Sequence, residues 1–336
     1  MAKMKAVQVS KAGGPFEVVE RDVRDPGPGE VRIKVEACGV CHSDALTRGG
    51  QYPGLTLPRV PGHEIAGRVD AVGANVTAWK TGERVGVGWH GGHCFQCNAC
   101  RKGLFINCEK AQVTGISFDG GYAEYAVVPF QAVARIPEGM DAADAGPLLC
   151  AGVTTYNSLR NSGARSGDTV AILGIGGLGH LAVQYAARMG FRTIAVSRGA
   201  DKEALARQLG AHEYLDTQAI DAAEGLQKLG GADLVLATAP NSDAIAATLN
   251  GLKPRGKLLI VAAAFEPIQI SGLSLLSGKT VAGWPSGSAF DSEETMAFSA
   301  LTNVRPQIEK FKLDQAEEAF NKMMANKVCF RAVLIP

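Results

Sequence analysis

The sequence predicts two domains of different class: an irregular β barrel, and an α/β domain built on a doubly wound parallel sheet. Three observations carry this. The chain has 336 residues, which suggests about two domains at roughly 150 residues each. Its first 135 positions read as short strands punctuated by Gly and Pro. After about Cys150 the pattern changes to short apolar runs alternating with helical patterns.

In the first half, strands are expected at Lys5–Ser10, Val31–Ala37, Ala66–Val72, Tyr122–Val128 and Ala132–Ile136. Turn residues separate them: Pro26-Gly27-Pro28-Gly29, Pro61-Gly62, Gly91-Gly92 and Asp119-Gly120-Gly121. In the second half, Thr169–Leu173 is a continuous apolar run, as a strand buried on both faces should be. Leu178, Leu181, Ala182, Tyr185 and Met189 then recur at helical spacing, and Gly190 can end that helix. The alternation continues with strands at Thr193–Val196, Asp233–Thr238 and Lys257–Ala263 and helices at Asp201–Leu209 and Asn241–Leu252. Helices near Ser292–Leu301 and Gln315–Ala325 and a strand at Val328–Leu334 close the chain.

Composition narrows the function classes. Hydrophobic residues make up 46% and charged residues 20%, as in a soluble globular protein. Lys+Arg 34 against Asp+Glu 33 gives a net charge of +1, so no global attraction to nucleic acid or anionic membrane is expected. The segment Met1–Gly14 has no apolar core of signal-peptide length. The most apolar stretch, Thr169–Val183, is broken by four glycines and His180 and falls short of the roughly 18 residues of a spanning helix. A cytoplasmic protein is the expectation. There, eight cysteines read as metal ligands or redox centres rather than as disulfides.

Four of them form Cys94-x2-Cys97-x2-Cys100-x7-Cys108, within a lobe spanning 93–109. Short gaps let one turn wrap consecutive thiolates around a centre, and the longer gap lets the loop return with the fourth. Tetrahedral Zn²⁺ suits four sulfurs, and a closed site of this kind has a structural role. An iron–sulfur cluster also takes four cysteines. A nucleic-acid zinc ribbon fits poorly, because only Arg101, Lys102 and Lys110 are basic nearby. Cys41, His63 and Cys150 make a second, Cys2His set that would leave one position open, although their wide separation makes spacing alone a modest argument. Cys38 and Cys329 are read as small core residues.

Gly174-Ile175-Gly176-Gly177-Leu178-Gly179 follows a strand and opens a helix, the context that gives a GxGxxG turn its meaning. Gly174 permits the tight turn, Gly176 lets a pyrophosphate approach, and Gly179 lets helix and strand pack closely. The acidic residue expected about 20 positions on, to bind a ribose 2′-hydroxyl, is missing. Ser197 and Arg198 stand there instead, with Lys202 beyond. That favours NADP(H), with NAD(H) still open.

These motifs occur in one order. GVCHSD at 39–44, PGHEIAG at 61–67, the four-cysteine loop and the Gly-rich turn together resemble the zinc-dependent alcohol dehydrogenases of the medium-chain dehydrogenase/reductase superfamily. Within it the chain is similar to the ethanol- and propanol-type enzymes of yeast and bacteria and to those acting on aryl and cinnamyl alcohols. The resemblance implies a GroES-like catalytic domain, 1–151 plus 287–336, and a Rossmann domain, 152–286, with the active site in a cleft that closes on cofactor. It implies two zinc ions per subunit, the catalytic one on Cys41, His63 and Cys150. It also implies that Glu64 approaches that zinc during ligand exchange and that Asp44 orients the ligating imidazole. Ser43 would take the alcohol proton and His42 would sit by the cofactor pyrophosphate. Thr154 and Leu178 would flank the nicotinamide, Arg331 would reach the pyrophosphate, and Tyr52 and Trp89 would line the alcohol pocket. Leu46 stands where many relatives carry a histidine that ends the proton relay.

The implied reaction is reversible oxidation of a primary or secondary alcohol, with hydride transfer to the nicotinamide. A dimer or tetramer is expected. Two rivals remain at this level: a zinc-free quinone or enoyl reductase of the same superfamily, and a non-enzymatic NADPH-binding zinc protein.

Overall fold

The computed structural model describes residues 2–336. The chain divides into two compact units: one is the chain up to Cys150 together with Gly287–Pro336, the other is Ala151–Ser286.

The second unit is a six-stranded parallel sheet. Across the sheet the strands run Glu213–Asp216, Arg192–Ser197, Thr169–Leu173, Ala232–Ala237, Leu252–Ile260 and Thr280–Gly283. The chain starts in the middle at Thr169–Leu173, builds outward on one side, and returns to pair Ala232–Ala237 on the other. That reversal makes a crevice at the carboxyl end of Thr169–Leu173, where ligands bind in open α/β sheets. Every residue of this strand is buried, which explains its unbroken apolar sequence. The following helix, Gly179–Arg188, ends before Gly190, whose φ of 82° suits only glycine. Two later helices start on side-chain caps: Asp221 accepts from the Ala223 and Glu224 N–H groups, and Asn241 accepts from Ala244.

One expected helix is shorter than its pattern. The helical residues are Ser242–Ala247, a single tighter turn follows at Leu249–Gly251, and strand begins at Leu252. Pro254 disfavours helix in the residue before it, and a register shift in the strand pairing accommodates the proline.

The first unit holds a seven-stranded, mostly antiparallel sheet. Its longest strand, Glu30–Val40, pairs Ile65–Val72 on one side and, on the other, Tyr125–Pro129 near its start and Arg331–Ile335 near its end. Val31, Ile33 and Val35 from this strand join Val69, Val85, Tyr122 and Phe320 in one core. The C-terminal strand pairs Ala332 with Val40 and Leu334 with Cys38, which brings Arg331 back beside the segment that carries Cys41. Among the described residues no helix is long and apolar enough to cross a membrane.

Candidate metal centres and dinucleotide turn

Cys94, Cys97, Cys100 and Cys108 bring their sulfurs within 4.8 Å of one another. Individual separations are 3.5 Å for Cys94–Cys108, 3.9 Å for Cys97–Cys108 and 4.0 Å for Cys94–Cys100. Tetrahedral zinc with Zn–S bonds of about 2.3 Å places its sulfurs about 3.8 Å apart, so the spacing fits a metal centre. The loop is built to hold thiolates. The N–H groups of Gln96 and Cys97 donate to Cys94 Sγ, and those of Cys94 and Lys110 donate to Cys108 Sγ. The backbone donors of Gln96 and Cys97 hold the Cys94 thiol down to about 6. Phe95 makes the turn between the first two cysteines with φ at 61°.

The second cluster is assembled from distant segments. Cys41 follows Glu30–Val40, His63 and Glu64 precede Ile65–Val72, and Cys150 lies in the π-helical segment Leu148–Gly152. Adjacent strands bring the first two together, since Gly39 N–H donates to Glu64 O at 3.1 Å. Ligand atoms of Cys41, His63, Glu64 and Cys150 all lie within 4.8 Å of one another, and Cys41 Sγ is 3.8 Å from Cys150 Sγ. His63 Nε2 is buried and has no hydrogen-bond partner. An orphaned imidazole nitrogen beside two thiols fits a metal better than any protein donor. The thiols also need a cation to ionise together. A hydrogen bond with Cys150 holds Cys41 well below the thiol range, and the same contact, with burial, pushes Cys150 well above it.

Asp44 and Arg331 complete this cluster. Asp44 Oδ1 faces His63 Nδ1 at 3.3 Å, while Oδ2 accepts the Cys41 N–H at 2.9 Å and the Tyr122 hydroxyl at 2.8 Å. This aspartate sets the histidine tautomer and turns Nε2 towards the thiols. Arg331 is 3% exposed, and its guanidinium donates to Glu64 Oε1. The resemblance would send Arg331 to a pyrophosphate; the structure shows it engaged with the carboxylate next to the thiols. Burial pushes Glu64 up to about 7, with the Arg331 charge opposing. Glu64 Oε2 has no partner, and a Cβ at Gly39 would overlap it.

The other residues of interest surround the same place. Ser43 precedes the helix Asp44–Gly49, yet its hydroxyl makes no capping hydrogen bond and remains available. His42 is exposed and Leu46 half-buried. Trp89 packs edge-on to His63 with centroids 5.0 Å apart, and Tyr52 packs edge-on to Trp89 at 6.1 Å. Tyr122 escaped the reading of the sequence. Only its alternation with apolar neighbours was visible there, and nothing local linked it to Asp44. Cys329, expected in a core, is exposed, because Phe330 turns the chain with φ at 63° before the last strand begins.

In the second unit the Gly-rich turn has the required shape. Gly174 has φ at 91°, and a Cβ there would meet Ala239 Cβ at 2.7 Å. A Cβ at Gly179 would overlap Gly174 O, so helix and strand approach closely. Gly176 is exposed and would meet nothing within 4 Å, which leaves its backbone open to a ligand; Gly177 and Leu178 are half-buried beside it. Ser197 ends its strand buried, and Arg198 is exposed after it. Lys202 Nζ donates to Ile175 O at 3.1 Å, so its charge is held at the turn itself. Thr154 is buried, and its hydroxyl donates to Ser286 Oγ at 3.1 Å.

Comparison with known proteins agrees with this chemistry. Residues 27–138 match the family described as alcohol dehydrogenase GroES-like domain, and residues 177–302 match the zinc-binding dehydrogenase family. The alcohol dehydrogenase notN of Aspergillus sp. (strain MF297-2) is 47% identical over 98% of this chain and 97% of its own. Among solved structures, a cinnamyl alcohol dehydrogenase of Sorghum bicolor superposes with a TM-score of 0.89 at 31% identity, covering 99% of this chain and 98% of that one. The CAD of Helicobacter pylori, complexed with NADP(H), gives 0.87 at 26% identity, covering 99% of this chain and 98% of that one. With these relatives and the motifs above, the chain belongs to the zinc-type alcohol dehydrogenases of the medium-chain dehydrogenase/reductase family and is an alcohol-oxidising enzyme.

Proposed function

We propose that Cys41, His63 and Cys150 hold a catalytic zinc with one position left for substrate, and that Cys94, Cys97, Cys100 and Cys108 hold a structural zinc. The observation that carries this is the buried, unpartnered His63 Nε2 aimed at two thiols 3.8 Å apart. Zinc in the open set would supply Lewis acidity, lowering the pKa of an alcohol by several units, and a nicotinamide cofactor would supply the hydride acceptor. The residues do the rest. Ser43, uncommitted at the head of its helix, takes the alcohol proton and passes it to solvent, with His42 nearby in sequence and no histidine at Leu46. Tyr52 and Trp89 give the alcohol an aromatic wall beside His63. Glu64, with one oxygen on Arg331 and the other free, is the carboxylate able to approach the metal.

The Ala151–Ser286 unit is the cofactor domain in this reading, with the pyrophosphate at Gly174–Gly179 and Thr154 and Leu178 near the nicotinamide. NADP(H) is the preferred cofactor. Ser197 offers a hydroxyl where an acidic side chain would repel a 2′-phosphate, Arg198 stands exposed beside it, and Lys202 is held at the turn.

The chain works as a homo-oligomer in this proposal. Phe265, Leu273 and Leu276, which precede the edge strand Thr280–Gly283 in the chain, are at least 77% exposed, and the outer backbone of that strand has no partner strand among the described residues. Eight unpaired thiols suit a reducing compartment such as the cytoplasm. Metal analysis of the purified protein, joined to alcohol oxidation with each cofactor, tests the reading. About two zinc per chain and faster turnover with NADP support it. A single zinc in fully active enzyme overturns the open-site assignment.

A further inference from the structure

We propose that Tyr122 is a positioning residue for the open zinc site, acting through Asp44 on His63. This rests on the assignment of Cys41, His63 and Cys150 as zinc ligands.

The two oxygens of Asp44 have different partners. Oδ1 faces His63 Nδ1, while Oδ2 takes two donors, the Cys41 N–H at 2.9 Å and the Tyr122 hydroxyl at 2.8 Å. Two donors on one oxygen fix the carboxylate plane, and that plane decides where Oδ1 points. Asp44 is 1% exposed and Tyr122 fully buried, so water cannot easily replace a lost hydroxyl.

Tyr122 is itself held by the segment that carries His63. Gly120, Gly121 and Tyr122 donate backbone N–H groups to Val60, Gly62 and Pro61 at 2.7, 2.9 and 3.0 Å. The Tyr122 ring lies so close to Gly62 that a Cβ there would meet Cδ1 and Cε1, and Phe16 packs edge-on to it at 5.9 Å. One residue therefore ties the His63 segment, through its backbone, to the Cys41–Asp44 segment, through its hydroxyl. A tyrosine needed only for packing would not require a hydroxyl aimed at the oxygen opposite the histidine.

The test is zinc release from purified holoenzyme into a colorimetric chelator, comparing wild type with Tyr122→Phe. Direct partners of metal ligands change affinity by about 10- to 100-fold. One step further out, Tyr122→Phe should speed release of one zinc by roughly 3- to 10-fold and leave the other unchanged. In an Asp44→Asn background, removing the hydroxyl should add nothing. Cobalt substituted into the open site should show altered d–d bands in Tyr122→Phe. Phe16→Leu, which loosens the same ring without touching the hydroxyl, should lower Tm while leaving release unchanged. Unchanged release of both ions, equal acceleration of both, or an additive effect with Asp44→Asn would each overturn the proposal. A wild type holding only one zinc would instead sink the ligand assignment beneath it.

Discussion

The two candidate metal centres solve the same chemical problem in opposite ways. The Cys94–Cys108 lobe draws every ligand from fifteen consecutive residues and stabilises its thiolates with backbone N–H groups of the same loop. The Cys41–His63–Cys150 set draws its ligands from three separate segments and relies on distant side chains: Asp44 and Tyr122 behind the histidine, Arg331 on Glu64. The first centre is self-contained, which suits a structural role. The second is part of the core, so its geometry can be set to leave a position for substrate. A closed site needs only loop geometry; an open one needs the surrounding fold to keep it from closing.

The largest effects should separate the two centres by what each loses. Cys150→Ser should cut alcohol oxidation by more than about 10³-fold, remove one zinc and change Tm little. Cys100→Ser should lose the other zinc and cost at least about 3 kcal/mol, a fall in Tm of roughly 6–12 °C. Metal content, turnover and thermal unfolding measured on both variants decide this, and equal losses of activity and stability in both would erase the contrast.

Acid should expose a weakness on the lobe side. His90, on the strand leading to Cys94, is pushed down to about 4 by burial and by its neighbour His93. Unfolded, the same histidine binds its proton near 6.5. The unfolded chain therefore takes up a proton first, and stability falls as pH drops from about 6.5 to about 4, by up to about 3 kcal/mol. Urea unfolding across that range should show a shallower decline in His90→Asn than in wild type; parallel curves would remove His90 from the account.

On the open side, Ser43→Ala should slow alcohol oxidation about 10²-fold, the usual scale for a positioned proton acceptor, with zinc content unchanged. Wild-type rates under conditions where chemistry limits turnover would exclude Ser43. The smallest effect concerns the cofactor. A charge-assisted contact to a 2′-phosphate is worth about 1.5–3 kcal/mol, and screening at the exposed Arg198 keeps the preference nearer tenfold. Ser197→Asp should reverse it, read as kcat/KM for NADP and NAD with one alcohol. A ratio unmoved by the substitution would show that this loop does not choose the cofactor.

What the sequence by itself determined is what neighbours in the chain decide. Cysteine gaps of two residues bring four sulfurs together, and a glycine run between an apolar strand and a helix makes a tight turn with an open backbone, because both follow from local turn geometry. The central strand Thr169–Leu173 was legible for a related reason: burial on both faces leaves an unbroken apolar run. Among the strands without a sequence signal, Glu17–Asp22, Glu213–Asp216 and Thr280–Gly283 lie at sheet edges or in a two-stranded pair with half-exposed residues, while Arg84–Val87 lies inside its sheet and is largely buried but spans only four residues. Only the tertiary structure decided what depends on chain pairing. The C-terminal strand beside Glu30–Val40 puts Arg331 on Glu64, and the latch of Gly120–Tyr122 onto Val60–Gly62 puts a tyrosine hydroxyl on Asp44. Residues 331 and 64, or 122 and 44, share no local pattern, and their meeting is set by strand register, which the whole buried core fixes at once.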